Sequence, residues 1–421
     1  MKNYQSLVHS WIQENNEIGI ELLQQLVRNR SVQANEYEAQ QVMVNHLKKL
    51  DLEIDEWEVE GDIFNHPYFC STRKQFLKSP NVVAVKRGKG KGKSIILNGH
   101  IDVVPEGDVT QWSDDPYSGK IIKGKMYGRG TTDMKGGTVS LLLAIQALKE
   151  LGIELKGDII FQSVIEEESG GAGTLETIIR GYKADAAIIP EPTNMKIFPK
   201  QQGSMWFRLT IKGRSAHGGT RYEGVSAIEK ALPVISAIQA LEKVRNSRIV
   251  DPLYENKPIP IPINLGVIRG GDWPSSVADE VIIEGRIGVA PDEAMSHAQE
   301  ELKQCLKDLE EQDPWFKKYP VGLDWFGARW VPGTIDEEHP LMAILQKKFQ
   351  QVKNIKPRIE ASPWGTDGGL LEKVGGIPVI VFGPGTTEIA HFPNEYIELD
   401  RMFEVAEIIA LTLIDWCGVN N

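Results

Sequence analysis

Residues 157–168 read GDIIFQSVIEEE. From Ile159 to Ile165 the run is almost continuously apolar or small, with β-branched residues at 159, 160, 164 and 165. A strand with one wet face would alternate; a run like this suits a parallel strand covered on both faces by helices. It ends on Glu166, Glu167 and Glu168. Three adjacent carboxylates repel one another unless cations or protons compensate. Neighbours on an extended backbone point to opposite sides, so the three are not equivalent. The same grammar recurs. Strand 94–97 (SIIL) runs into Asn98-Gly99-His100-Ile101-Asp102, strand 184–189 (ADAAII) into Pro190-Glu191-Pro192, and strand 377–382 (IPVIVF) into Gly383-Pro384-Gly385 and then His391. In open α/β sheets, ligands bind beyond the carboxyl ends of the strands.

Working outward, helical periodicity predicts a helix over 5–29, from Leu7, Trp11, Ile18, Leu22, Leu23 and Val27, and further helices over 37–49, 136–150, 173–181, 340–353, 367–374 and 401–416. An extended run lies at 81–86. The lysine-rich stretch 86–93 (KRGKGKGK) is not a phosphate loop. Gly92-Lys93-Ser94 would need a glycine at 87, where Arg87 stands, and the stretch precedes a strand instead of following one. It reads as a solvated hairpin turn. From about 202 the order becomes strand 204–212, helix 225–243, strands near 261–268 and 280–288, helix 291–312 and strand 320–331. Pro291-Asp292-Glu293 reads as the first turn of that second helix. This β-α-β-β-α-β order is the split βαβ sandwich. The expected fold is therefore α/β, a mainly parallel sheet with helices on both faces (1–201 plus 333–421), interrupted by an α+β domain (202–332).

The chain's 421 residues, 41% hydrophobic and 25% charged, suit a large folded core. With 58 acidic against 47 basic residues the net charge is −11, a poor basis for nucleic-acid binding. Cys70, Cys305 and Cys417 are odd in number and far apart, which suits thiols in a reducing, cytoplasmic setting. Neither a signal pattern nor an apolar run of membrane-spanning length is present in the sequence.

Imidazoles and carboxylates converging at strand ends are first-row metal chemistry. Asp133 joins them from the glycine-punctuated segment 128–137, just ahead of a helix. One His, one Glu or Asp and another His or Glu per ion, with one carboxylate shared, would fill two sites able to polarise a carbonyl. If the strand continues past His100, Asp102 lies on the same side and accepts the free N–H of His100, fixing its tautomer. Glu168 as ligand and Glu167 as proton acceptor is a coherent division of labour.

Taken together, Gly99-His100-Ile101-Asp102, Tyr127-Gly128-Arg129-Gly130-x2-Asp133-Met134-Lys135-Gly136-Gly137, Glu167-Glu168-Ser169-Gly170-Gly171, Glu191-Pro192-Thr193, Gly213-Arg214-Ser215-Ala216-His217 and Ala390-His391 resemble the zinc aminoacylase, acetylornithine deacetylase, succinyl-diaminopimelate desuccinylase and carboxypeptidase G family. The likeness runs in order from about 80 to 410. The resemblance implies two divalent ions, zinc or cobalt: one held by His100, Asp133 and Glu191, the other by Asp133, Glu168 and His391. It implies Glu167 as general acid/base, Asp102 as the orienter of His100, and the inserted domain as lid and dimerisation domain. His217 would reach a partner subunit's site to stabilise the oxyanion, Arg286 would bind a substrate carboxylate, and Gly383 and Gly385 would contact the substrate. Ser276 stands where the family commonly has an oxyanion asparagine. The implied activity is hydrolysis of an N-acyl amide on an amino-acid-like substrate or short peptide, acetylornithine deacetylase-like first. Desuccinylase, aminoacylase, di- or carboxypeptidase and N-formyl aminopyrimidine deformylase activities stand as alternatives, and a non-catalytic metal-bearing binding protein as the rival class. Loops 61–80 and 251–260 carry no motif.

Overall fold

The expected strand 157–165 forms as Ile159–Val164, buried at every position, near the middle of a nine-stranded sheet. The structure, a computed structural model, describes residues 3–420. The chain opens with helices α1 (Tyr4–Glu14), α2 (Asn16–Arg28) and α3 (Tyr37–Lys49), then strands β1 (Glu53–Glu58), β2 (Pro80–Lys86), β3 (Ile95–His100), β4 (Lys120–Ile122) and β5 (Lys125–Tyr127). Helix α4 (Gly136–Glu150), β6 (Ile159–Val164), helix α5 (Ala172–Ile179), β7 (Ala187–Ile189) and β8 (Ile197–Gln201) follow. Next come β9 (Gly203–Lys212), α6 (Ala227–Ser247), β10 (Ile263–Gly270), β11 (Glu280–Val289), α7 (Met295–Gln312), α8 (Pro314–Lys318) and β12 (Gly322–Trp330). The chain closes with β13 (Gly333–Thr334), α9 (Pro340–Lys353), β14 (Ile359–Ser362), α10 (Gly368–Lys373), β15 (Val379–Val381), β16 (Tyr396–Glu398) and α11 (Leu399–Cys417).

The contacts divide the chain into two units, one ending at Lys200 and resuming over Gly333–Ser362 and from Asp367, the other comprising Gln201–Pro332 and Pro363–Thr366. In the first unit the sheet order is β1-β2-β6-β3-β7-β15-β8-β13, with β14 on β8. Its centre, β6-β3-β7-β15, is parallel, and β1, β2 and β8 add antiparallel pairings. Helix α4 packs with α1, α2 and α11, and α9 with α11; α5 and α10 form a separate pair, α5 against β2 and α10 against β15. Covered strands explain the apolar runs: β2 is buried over Pro80–Val85, and β3, β7 and β15 throughout.

Two expectations are corrected here, and one strand stands where none was expected. The helix read as 5–29 is two helices, because the Asn15 side-chain amide bonds the Trp11 carbonyl (2.8 Å) and takes Asn15 out of helical geometry. Stretch 86–93 is largely solvent-exposed but closes no hairpin, since β6 lies between β2 and β3. β1 escaped notice because it is an edge strand rich in acidic residues, the composition that protects an edge from further pairing.

The second unit has a four-stranded antiparallel sheet of order β10-β11-β9-β12. Numbered by their order in this unit the strands run 2-3-1-4, the split βαβ arrangement. Along β9, Phe207, Leu209 and Ile211 are buried in a core with α6 and α7, while Trp206 and Lys212 face out. Helix α7 starts at Met295, not at Pro291. The Glu293 carboxylate is turned back onto the Ala290 N–H (3.0 Å) and Arg245 (2.7 Å), which builds a turn ahead of the helix.

Candidate metal centre

Because β6, β3, β7 and β15 are adjacent and parallel, their carboxyl ends lie along one edge of the sheet, and each carries site residues. His100 is the last residue of β3, Glu167 and Glu168 follow β6, Glu191 follows β7, and Gly383 to His391 follow β15. Asp133 arrives from the segment before α4. His100 Nε2 lies 3.3 Å from Asp133 Oδ1 and 3.8 Å from Glu191 Oε1. His391 Nε2 lies 3.2 Å from both Asp133 Oδ2 and Glu168 Oε1. The two oxygens of Asp133 thus serve two separate clusters, and in each cluster the donor atoms lie within 4.8 Å of one another. Each set offers one imidazole nitrogen and two carboxylates, a donor set that fits a first-row divalent cation.

The electrostatics point the same way. Burial and then the Glu191 charge push Glu167 well above the usual carboxylate range. Glu191 is also pushed well up, chiefly by burial and then by Asp133 among its carboxylate neighbours. Burial alone would depress His100, but its hydrogen bond to Asp133 and the charges of Glu191 and Asp102 hold it well above its ordinary value. His391 is raised to about 12, first by Glu168. Buried, crowded carboxylates favour a compensating positive charge, which bound cations would supply.

His100 Nδ1 lies 2.8 Å from the Asp102 carbonyl, an acceptor only, so Nδ1 carries a proton and Nε2 is the nitrogen turned to Asp133 and Glu191. The expectation that the Asp102 carboxylate plays this part is corrected. β3 ends at His100, so the strand alternation does not carry on to Asp102, and Oδ1 stands 3.7 Å from Nδ1. The carboxylate instead accepts the N–H groups of Glu167 (3.3 Å) and Glu168 (3.1 Å), holding the turn that bears both. Glu166 takes no part in either cluster. Its buried side chain turns to Arg73 (3.0 Å), Ser71 (2.5 Å) and Gln33 (3.2 Å).

Two residues without a sequence-derived role hold the centre from behind. Glu395 accepts from Arg129 Nη1 (2.7 Å), the Thr132 N–H (2.9 Å) and the Asp133 N–H (3.2 Å). Arg129 Nη2 also donates to the His391 carbonyl (3.3 Å). One buried ion pair therefore positions the shared carboxylate and the second imidazole. The arginine between two glycines at 128–130 was a usable signal; nothing around Glu395 marked it.

Gly383 and Gly385 are buried. Gly383 exchanges hydrogen bonds with the Thr193 hydroxyl (3.1 Å each way), and the Gly385 carbonyl accepts the Asn194 N–H (2.8 Å). A Cβ on Gly383 would stand 2.2 Å from the Pro190 carbonyl oxygen and 2.4 Å from that of Glu191. The structure shows these glycines closely packed, Gly383 against the Pro190 and Glu191 carbonyls and Gly385 against the Thr132 carbonyl and Pro192.

In the second unit His217 and Ser276 face each other across an isolated antiparallel bridge, and His217 Nδ1 accepts the Gly219 N–H (3.0 Å). Arg286 stands on β11 between Trp206 and Asn264, its Nε and Nη2 buried without a hydrogen-bond partner among the described residues. Burial pushes its guanidinium down. The described residues contain no helix long and apolar enough to cross a membrane.

A doubly wound sheet whose strand ends gather two imidazole–carboxylate clusters around one shared aspartate defines a metal-dependent hydrolase of the amidohydrolase type. The chain belongs to peptidase family M20/M25/M40, whose model matches residues 96–415. It is 32% identical over 410 residues to N-formyl-4-amino-5-aminomethyl-2-methylpyrimidine deformylase of Halalkalibacterium halodurans, covering 92% of this chain and 91% of the relative. It is 33% identical over 397 residues to the deformylase of the same name from Bacillus subtilis, covering 89% and 88%. Among solved structures, a tripeptidase from Staphylococcus aureus shares the fold at a TM-score of 0.72 and 22% identity, over 96% of this chain and 99% of that one.

Proposed function

We propose that this amidohydrolase removes the formyl group from an N-formyl aminomethylpyrimidine, releasing formate and a primary amine. The observation that carries the reading is the pair of clusters sharing Asp133 beside the buried Glu167, in a chain 32–33% identical to two deformylases. An acetylornithine deacetylase-like activity, the first sequence expectation, is less specific than this.

His100, Asp133 and Glu191 would hold one divalent ion, and Asp133, Glu168 and His391 the other; imidazole and carboxylate donors suit zinc or cobalt. Bound there, the ions supply polarisation of the amide carbonyl and acidification of water. Glu167 takes the proton of the attacking water on a carboxylate oxygen and passes it to the departing nitrogen, so the amine leaves neutral. Its raised proton affinity in the buried site suits a group that must hold that proton between the two transfers. Asp102 fixes the Glu167 backbone, and the protonated Nδ1 of His100 keeps that ring in one orientation.

His217, with Ser276 beside it, is the candidate donor to the oxyanion, and the Gln201–Pro332 unit the candidate lid and dimerisation domain. Arg286 is the candidate substrate clamp. Its unpaired Nε–H and Nη2–H edge serves a carboxylate or, in a pyrimidine, a pair of neutral acceptors. Exposed Ile228 and Leu232 on α6 and Ile268 on the edge strand β10 support a homodimer through this unit. The three cysteines, none of them in a disulfide among the described residues, support a reducing, cytoplasmic setting.

The test is a substrate panel with metal-loaded protein: N-formyl aminomethylpyrimidine, N-acetylornithine, N-succinyl-diaminopimelate, N-acetylmethionine and dipeptides. Formate release from the first should lead in kcat/KM. A higher kcat/KM for any acetyl, succinyl or peptide substrate overturns the assignment. Arg286→Ala should raise KM for the preferred substrate by about 10-fold or more; an unchanged KM removes Arg286 from substrate binding.

A further inference from the structure

The 61–79 segment, which carries no motif, is built into the catalytic turn. It folds on its own aromatic cluster, with Phe64 and Phe69 at 5.1 Å between ring centroids and Phe76 at 6.0 Å from Phe64. The Arg73 guanidinium sits over Phe76 at 4.6 Å. From this base Arg73 Nη1 reaches Glu166 Oε1 (3.0 Å) and Glu36 Oε1 (3.2 Å), and Nη2 reaches Ser79 Oγ (2.8 Å). Ser71 donates to the other oxygen of Glu166, and the Cys70 thiol to the Gly170 carbonyl (3.3 Å). The segment therefore grips both ends of the turn that carries Glu167 and Glu168.

That turn needs an external hold. Glu166 has φ +64°, Gly170 +116° and Gly171 +78°, so three of its six residues lie in the left-handed region, where a non-glycine residue is disfavoured. The Glu166 side chain does not cap the short helical turn at 167–169; its first N–H groups go to the Asp102 carboxylate, which leaves Glu166 itself to be held from outside. The Glu166 carboxylate is fully buried, and the only cation bonded to it in the described structure is Arg73, which it shares with the equally buried Glu36. The geometry points to Arg73 as a positioning residue: acting through Glu166, it sets the Glu167–Glu168 turn against the metal clusters. Lysine would keep the charge but cannot fork between two carboxylates and a hydroxyl. This rests on the reading of Glu167 as the proton carrier.

The experiment measures kcat, KM, metal content and Tm for metal-loaded Arg73→Met, Arg73→Lys, Glu166→Gln and Glu36→Gln, beside Glu167→Gln. Arg73→Met and Glu166→Gln should each lose about 10- to 100-fold in kcat, with KM within about twofold and metal content unchanged. Arg73→Lys should recover part of the loss. A variant combining Arg73→Met with Glu166→Gln should be no slower than the worse of the two single ones, since both act through one contact. Glu36→Gln, on the helix side of Arg73, should lower Tm and leave kcat alone; a purely structural Arg73 would make Glu36→Gln and Glu166→Gln behave alike. The inference is overturned if Glu166→Gln keeps kcat within about twofold of wild type while Glu167→Gln is inactive. It is equally overturned if the kcat loss only follows lost metal. Should Arg73→Met fail to fold, Glu166→Gln decides alone. A Glu167→Gln variant with wild-type turnover removes instead the proton-carrier reading, and the inference with it.

Discussion

Glu395→Gln isolates the hold behind the metal centre. The change keeps the shape, and the amide oxygen can still accept the Thr132 and Asp133 N–H groups. It removes the charge opposite Arg129, whose Nη1 stands 2.7 Å from Glu395 Oε2 with both side chains almost wholly buried. Breaking such a pair leaves an uncompensated buried cation and costs about 3–5 kcal/mol. The amide also offers its own N–H toward Arg129, so the arginine must shift, carrying its hydrogen bond to the His391 carbonyl with it. His391 and Asp133 then lose their common support, and affinity for the second ion should fall about 10- to 100-fold. Urea unfolding of the metal-free protein measures the first effect and metal titration the second. A destabilisation under about 1 kcal/mol together with unchanged metal affinity would refute the positioning role of the pair.

Three further expectations follow from other parts of the fold. His391→Ala should leave one ion per chain where wild type binds two, read by metal analysis after dialysis, because His391 belongs to only one cluster. Gly383→Ala should destabilise by about 1–3 kcal/mol and weaken the ion at Glu191, since the new methyl meets the Pro190 and Glu191 carbonyls at 2.2 and 2.4 Å. His46, buried on α3 and lowered to about 4 by burial and then Lys49, resists protonation in the folded state. Its contribution is intact above pH 6.5, the unfolded value, and is lost as pH falls from there toward 4. At pH 5 the loss is about 2 kcal/mol. In His46→Leu the drop in stability between pH 7 and pH 5 should shrink by that amount in urea unfolding; an unchanged drop would show that His46 does not contribute.

Much of this was legible in the chain because strand ends concentrate chemistry. His100, Asp133, Glu168, Glu191 and His391 are spread over 292 positions of sequence. Apolar runs identify the parallel strands, and parallel strands bring their carboxyl ends together. What stayed hidden depends on backbone turns that periodicity does not report. Asp102 lies past the end of β3, so its carbonyl takes the His100 N–H and its carboxylate is left to hold the Glu167–Glu168 turn. Alternation says that the three glutamates are not equivalent but not where Glu166 goes; its left-handed backbone sends it to Arg73, in a segment whose meaning lies only in its contacts. Glu395, 262 residues from Asp133 in the chain, meets it only through the fold.

Formate release against metal equivalents, measured with metal-free protein and an N-formyl aminomethylpyrimidine, tests the central claim most directly. Turnover should be absent without metal and rise to a plateau as the second equivalent of zinc or cobalt is added per chain. Binding of two equivalents with no formate released, while an N-acetyl, N-succinyl or peptide substrate is hydrolysed, would contradict the deformylase reading; turnover unaffected by removing metal would contradict the centre itself.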